Sequence, residues 1–183
     1  LVEWVFDRIS EKNPDLRSRF GPQGQTGCSE DINHHVDFLV ASLLGDSSDP
    51  FVDYCLWLNT VLLSRDVKTN HLIESLSWMQ DYLDHHLDKD AALLCRQHVS
   101  AGQAALVDAN NAPVRPSYFN RLPAPLTGID EFTDALISGD NAATQATAER
   151  FQQQGLSPID INTRLIQPAM YEVGIRWETN RIT

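Results

Sequence analysis

Apolar residues at helical spacing constrain this chain more than any other feature. In the stretch DPFVDYCLWLNTVLL, apolar side chains recur at positions i, i+3, i+4, i+7, i+10 and i+11, counted from Phe51. This spacing places all of them on one side of an α-helix, where they can bury against a core. The preceding Asp49-Pro50 pair is a start signal, because proline is favoured in a first helical turn. The pattern predicts a strongly amphipathic helix.

Similar segments follow one another along the chain, and no stretch shows the alternating pattern of a half-buried strand. Further helix starts are predicted at Ser29, Thr69 and about Asp90, and a short helix is predicted for VEWVFDRI at the beginning. The segment from Asn13 to Gly27 is rich in glycine, proline and glutamine and is expected to be a loop. We predict an all-α fold in which residues 1–107 form an N-terminal helical bundle, a candidate sensor or regulatory domain.

The composition changes in residues 108–128, DANNAPVRPSYFNRLPAPLTG. This stretch contains four prolines and three asparagines and has no helical period. Proline-rich segments are extended and semi-rigid. We predict a linker here, with Tyr118 and Phe119 holding it against a neighbouring surface.

A second helical unit is predicted for residues 129–183, because three pairs of start and stop signals mark it. The first helix is expected at Ile129–Ser138, where Gly139 ends it. Asp140 can cap the second helix, and Ser157 precedes a first-turn proline at the start of the third.

The third helix of this unit is apolar across a wide side. Apolar residues fall at i+4 steps and have apolar or small neighbours: Ile161, Leu165, Ala169, Val173 and Trp177, flanked by Ile166, Met170 and Gly174. Pro168 removes the backbone N–H that would bond to the carbonyl of Arg164, so a kink or a local widening is expected. Three helices with such a side indicate a four-helix bundle, and the sequence ends just after NRIT, where the fourth helix would begin.

Residues 129–183 resemble the helical cap module that precedes the cobalamin-binding domain of methionine synthase, corrinoid methyltransferase proteins and cobalamin-dependent light sensors and regulators. The resemblance is carried by ALISGD, QGLSPIDI and LIQPAMYEVGIRWETNRIT. The last is similar to the family's pattern of an apolar pair, Pro-Ala, V-G-x-x-W and a polar turn followed by Ile. The resemblance implies an incomplete four-helix cap that covers the upper face of a cobalamin.

The resemblance also implies a cofactor, adenosyl- or methylcobalamin, and residues that contact it. Trp177 matches a tryptophan that lies near the upper face in the light-sensing members, and Val173 and Met170 are the other predicted cofactor-binding residues. In the family, a Glu-His pair on the next helix and a Rossmann-like cobalamin domain with a D-x-H-x-x-G loop follow. Neither is found in this sequence. We therefore expect the chain to be the N-terminal fragment of a longer protein, and to hold cobalamin incompletely, or not at all, by itself.

Net charge, hydropathy and cysteine content limit the kinds of partner and the cellular compartment that fit this sequence. A net charge of −11 argues against a nucleic-acid surface, which needs clustered basic residues. No apolar run approaches the roughly 18 residues of a membrane span, and no segment resembles a signal peptide. Cys28, Cys55 and Cys95 are an odd set at wide spacing, which favours a reduced, cytoplasmic protein. Cys55 and Cys95 lie on apolar helix sides and are predicted to be buried.

The histidines do not indicate a metal site. His98 lies on an apolar helix side and is predicted to be a core or interface residue. Adjacent histidines at positions 34–35 and 85–86 would point about 100° apart on a helix and would chelate one ion poorly. Asp81 and His85 share a helix side, but no third ligand is evident. We predict no metal-binding and no catalytic residue.

Three functions stay open. The first is a cobalamin-binding sensor or regulator, light- or ligand-responsive, that acts in signal transduction or transcription regulation through a downstream regulatory protein or self-association. The second is the corrinoid carrier protein of a cobalamin-dependent methyltransferase, the only one of the three that implies an enzyme. The third is a helical interaction module without a ligand. The N-terminal bundle favours the first, because a simple carrier has little besides a cap and a cobalamin domain.

Overall fold

The computed structural model describes residues 1–110, 112 and 123–182, with the backbone alone for residues 15–17, 19 and 20. All regular secondary structure in these ranges is helical, which confirms the predicted all-α class. The chain divides into two compact units between residues 114 and 115. Most of the predicted linker, including Tyr118 and Phe119, lies outside the described residues, so its bounds stay a prediction.

The N-terminal unit is built from long helices joined by short turns. In its described part these are α1 (Val2–Lys12), α2 (Pro14–Leu44), α3 (Asp49–Leu63), α4 (Thr69–His86) and α5 (Lys89–Ala109). Their apolar sides meet in one core, where Phe51, Leu76, Met79, Val99 and Leu106 have no exposed surface. Burial of this kind is the main favourable term in folding a helical bundle.

The predicted loop from Asn13 to Gly27 and the predicted helix start at Ser29 are both wrong, because α2 already begins at Pro14 and continues through Ser29. The helix is interrupted only at Gly21, whose φ of 59° and ψ of −155° are not helical. Pro22 then occupies the first turn of the second part, where its missing N–H does no harm. Packing of this segment against α1 outweighs the low helix propensity of its glycines.

Side chains predicted to be buried in this unit are buried. Cys55 has no exposed surface, Cys95 is 6% exposed, and His98 is 8% exposed. Helices α3 and α5 approach closely at Gly102, where a Cβ atom would lie 3.0 Å from both Cys55 Sγ and Phe51 Cε1. Glycine at this position therefore permits the contact between the two helices.

The C-terminal unit follows the predicted helix ends. It comprises α6 (Ile129–Ser138), α7 (Asn141–Gln153), α8 (Pro158–Ile161), a π-helical turn (Asn162–Ile166) and α9 (Gln167–Glu178) in its described part. Gly139 ends α6 with a φ of 71°, and the Asp140 side chain accepts a hydrogen bond from the backbone N–H of Ala143. Ser157 Oγ accepts one from the N–H of Asp160 at 3.2 Å. Across the described ranges, no helix is both long and apolar enough to cross a bilayer.

Candidate functional site

The last helix of the C-terminal unit is widened at the predicted place. Pro168 cannot donate to the carbonyl of Arg164, and the backbone forms the π-helical turn immediately before it. The freed carbonyl of Arg164 instead accepts a hydrogen bond from the backbone N–H of Leu126 at 2.9 Å. The Arg164 side chain adds a bond from Nε to the carbonyl of Ala124 at 3.2 Å. The proline therefore creates the attachment point for the segment that leads into α6.

The wide apolar side of this helix divides into two stripes. Ile161, Leu165 and Ala169 are buried at 8%, 0% and 0% exposure and form the core with Phe132 and Phe151. A second set, which we call the apolar stripe, reaches solvent: Ile166 is 38%, Met170 55% and Trp177 43% exposed, and Val173 is half-buried.

The division follows from helix geometry. Residues four apart are separated by about 400° of rotation, so a row at strict i+4 steps drifts by about 40° per step. Val173 and Trp177, in line with Ile161 by sequence spacing, have therefore rotated away from the core. The three predicted cofactor-binding residues, Trp177, Val173 and Met170, share one side of α9, and Ile166 extends that side by one turn.

Gly174 lies on the same side of the helix, four residues after Met170. A Cβ atom at this position would meet no atom within 4 Å, so the glycine is not required by packing in the described part of the chain. Glycine inside a helix is less favourable than alanine by about 1 kcal/mol. The apolar stripe therefore lies beside open space at Gly174.

Ion pairs fix the orientation of this helix. Arg176 on α9 pairs with Asp134 on α6 and, at 3.2 Å, with Glu172 one turn earlier. These hydrogen bonds raise the pKa of the Arg176 guanidinium, which stays charged. Because Asp134 is 66% exposed, the pairs contribute little to stability. Their effect is to hold one side of α9 against α6 while the apolar stripe faces outward.

The stripe is suited to excluding water rather than to moving protons or binding metal. Its four side chains carry neither an acid nor a base. Within the ranges that the structure describes, no group of three or more His, Cys, Asp and Glu side chains could hold a metal ion. Two of the histidines considered above lie against backbone carbonyls: His85 Nδ1 lies 2.6 Å from the carbonyl of Asp81, and His86 Nδ1 lies 2.7 Å from that of Tyr82.

Comparison with known proteins bears on this unit alone. No curated protein and no solved structure matches the chain. Residues 129–183 match the protein family described as B12 binding domain. This match supports cobalamin as the ligand, and it confirms the predicted resemblance of the C-terminal unit to a B12-binding helical cap module.

Proposed function

We propose that this chain is part of a cytoplasmic cobalamin-binding sensor or regulator. In this proposal the C-terminal unit covers the upper face of the cobalamin with its apolar stripe, and the N-terminal unit passes the signal to a protein partner or to a second copy. The supporting observation is that a segment matching a B12 binding domain exposes an indole and a thioether on one side of its last helix, about two turns apart.

The residues of the stripe suit a cover over a reactive bond. Trp177 offers a broad, rigid, apolar surface, and Met170 is flexible enough to follow the shape of what it contacts. When bound, cobalamin supplies a weak cobalt–carbon bond on the face that the stripe would cover. Excluding water at that face protects such a bond from side reactions.

The same contact can act as a switch. The stripe would lie farther from the corrin ring when an alkyl group stands between them, and closer after that group is lost through light or chemistry. Two positions of one helix give two arrangements of the unit, and the upper ligand biases their populations. Because α9 is tied to α6 through Arg176 and to the preceding segment through Arg164, a shift of the stripe would be passed on to both.

The test uses the intact gene product that contains these residues, purified with hydroxo-, methyl- and adenosylcobalamin. We expect a corrin absorption spectrum that stays with the protein through gel filtration. Met170→Ala should weaken cobalamin binding roughly 10-fold or more, since burying a side chain of this size contributes about 1.5–3 kcal/mol. Leu93→Ala is the matched control, because Leu93 on α5 is 55% exposed, as Met170 is. Absence of bound cobalamin would refute the proposal, and the helical interaction module without a ligand would then be the remaining function.

Illumination and methyl transfer separate the two cobalamin functions. A change of spectrum and of oligomeric state on illumination would support the light-responsive sensor. Methyl transfer to a thiol or to tetrahydrofolate in the presence of a partner enzyme would instead identify a corrinoid carrier.

A further inference from the structure

A cavity of about 230 Å³ lies inside the N-terminal unit. It is bounded by α1, residues 21–35 of α2, the end of α3 with the turn that follows, and α4, and it is partly open to solvent. Its walls are mainly apolar: Phe6, Ile9, Ile32, Leu62, Val67 and Leu72. A bundle packed as densely as protein interiors usually are does not leave a space of this size by default.

Glycines line the α2 side of the cavity. Gly21, Gly24 and Gly27 are spaced three residues apart, and all three line the cavity. The positive φ of 59° at Gly21 itself favours glycine. A Cβ atom at Gly27 would meet no atom within 4 Å, so the space could accept a larger side chain there, yet the sequence leaves it open.

Two polar atoms at the cavity have nothing to bind within the described protein. Asn13 Nδ2 and His71 Nδ1 are both buried, and neither has a hydrogen-bond partner among the residues that the structure describes. Both residues line the cavity. Buried polar groups are nearly always paired, and a rotation of either side chain toward the cavity would let its unpaired nitrogen meet a ligand there.

Four titratable side chains at the wall give no net charge between them. Asp31 and Arg65 both line the cavity and offset each other. Burial raises the pKa of the Cys28 thiol to about 11 and lowers that of His35 to about 3, so both are neutral near pH 7. An ionised ligand would lose its hydration here without gaining a counter-charge.

The volume sets the size of the ligand. An engineered apolar cavity of about 150 Å³ binds benzene, so this cavity, about one and a half times as large, fits two fused rings. We infer that the N-terminal unit binds an uncharged, mainly apolar molecule of about that size, carrying an oxygen that accepts a hydrogen bond from the Asn13 amide once that side chain turns toward the cavity. The inference does not depend on cobalamin binding, which belongs to the other unit.

Three probes test size, charge and hydrogen bonding separately. 2-Naphthol has the rings and the oxygen, naphthalene lacks the oxygen, and 2-naphthoate adds a negative charge. Each is titrated into the 15N-labelled chain, and the amide shifts around Gly27, Ile32 and Leu72 are followed. We expect 2-naphthol to bind about fivefold or more tightly than naphthalene, with no saturable shift from 2-naphthoate. Failure of all three probes to bind, or preferential binding of the carboxylate, would overturn the inference.

Two substitutions place the binding in the cavity. Gly27→Leu adds a side chain into the empty space and should abolish 2-naphthol binding while leaving the unit folded, because leucine favours the helix more than glycine does. Thr26→Leu is the matched control, since Thr26 neighbours Gly27 on α2, is exposed, and does not line the cavity. Asn13→Leu should remove the preference for 2-naphthol over naphthalene. Binding that persists in Gly27→Leu, or an unchanged preference in Asn13→Leu, would contradict the assignment.

Discussion

The two units use glycine inside a helix for opposite reasons. In the N-terminal unit, Gly102 is required by packing, because a Cβ atom there would lie 3.0 Å from the Phe51 ring. In the C-terminal unit, Gly174 has no atom within 4 Å of the same position. The comparison teaches that one glycine lets two helices of a core approach closely, whereas the other lies beside exposed apolar side chains on an outward side of its helix.

The largest predicted effect is on the N-terminal core. Phe51→Ala should lower the free energy of unfolding of this unit by about 3–5 kcal/mol, because it leaves a cavity at a side chain with no exposed surface. Leu44→Ala is the control, since Leu44 is 84% exposed and should change stability by less than about 0.5 kcal/mol. Urea denaturation followed by circular dichroism measures both. Equal effects would show that the core is not where the structure places it.

Leu165 and Ile166, which are neighbours in the chain, should differ in the same way in their contribution to stability. Leu165→Ala should destabilise the C-terminal unit by about 2–5 kcal/mol, because Leu165 is fully buried. Ile166→Ala removes a side chain that is 38% exposed and belongs to the apolar stripe, so its effect on stability should be much smaller. A similar loss of stability in both variants would mean that the stripe is part of the core and would break the comparison.

Acid should affect the N-terminal unit through His35 and Asp31. Burial lowers the pKa of His35 to about 3, against about 6.5 in the unfolded chain, so between these values only the unfolded chain holds the proton. The free energy of unfolding then falls with decreasing pH by about 1.4 kcal/mol per unit. Burial raises the pKa of Asp31 to about 6, against about 3.9 unfolded, so between pH 6 and 4 the folded unit binds an extra proton and the two effects oppose each other.

Replacing one of these two side chains should make the effect of the other on the pH dependence of stability measurable by itself. Asp31→Asn should lose stability as the pH falls from 6 to 4 more steeply than the unmodified protein does, and His35→Gln should lose it less steeply. Urea midpoints measured at intervals across this range give both slopes. Identical pH dependence in all three proteins would show that these side chains are not buried as described.

The smallest effects come from the two glycines themselves. Gly102→Ala should destabilise the N-terminal unit by about 1–3 kcal/mol through overpacking against Phe51 and Cys55. Gly174→Ala should instead stabilise the C-terminal unit by up to about 1 kcal/mol, as expected for a helix interior, while weakening cobalamin binding. Thermal unfolding and a cobalamin titration measure the two consequences, and a destabilising Gly174→Ala would show that packing within the protein requires this glycine.

Helix ends were predictable because each is determined by a few neighbouring residues. Ser157 and Asp140 cap their helices through their own side chains, and Gly139 ends α6 with a positive φ, all as the sequence indicates. The helical structure of the segment after Asn13 was not predictable. Its glycines and prolines predict a loop, and only contact with α1 makes it helical. Local propensity is outweighed by tertiary packing in such cases.

The candidate site was predictable only in part. The family resemblance predicts Val173, Met170 and Trp177 as site residues, and their roles stay a prediction. The split into a buried and an exposed stripe was not predicted, since that split depends on slow rotation along the helix and on the π-helical turn. The cavity of the N-terminal unit had no sequence signal. Asn13 and His71 lie 58 positions apart, and only the fold brings them to one cavity.

The most direct test of the central claim, that the apolar stripe of α9 contacts the corrin, is a 19F NMR titration. The intact gene product is labelled with 5-fluorotryptophan, and the resonance of Trp177 is assigned with Trp177→Phe. Trp4, Trp57 and Trp78 lie in the N-terminal unit and serve as internal controls. On addition of methylcobalamin we expect the Trp177 resonance to shift well beyond those of Trp4, Trp57 and Trp78. Binding seen in the corrin spectrum without movement of the Trp177 resonance would contradict the account.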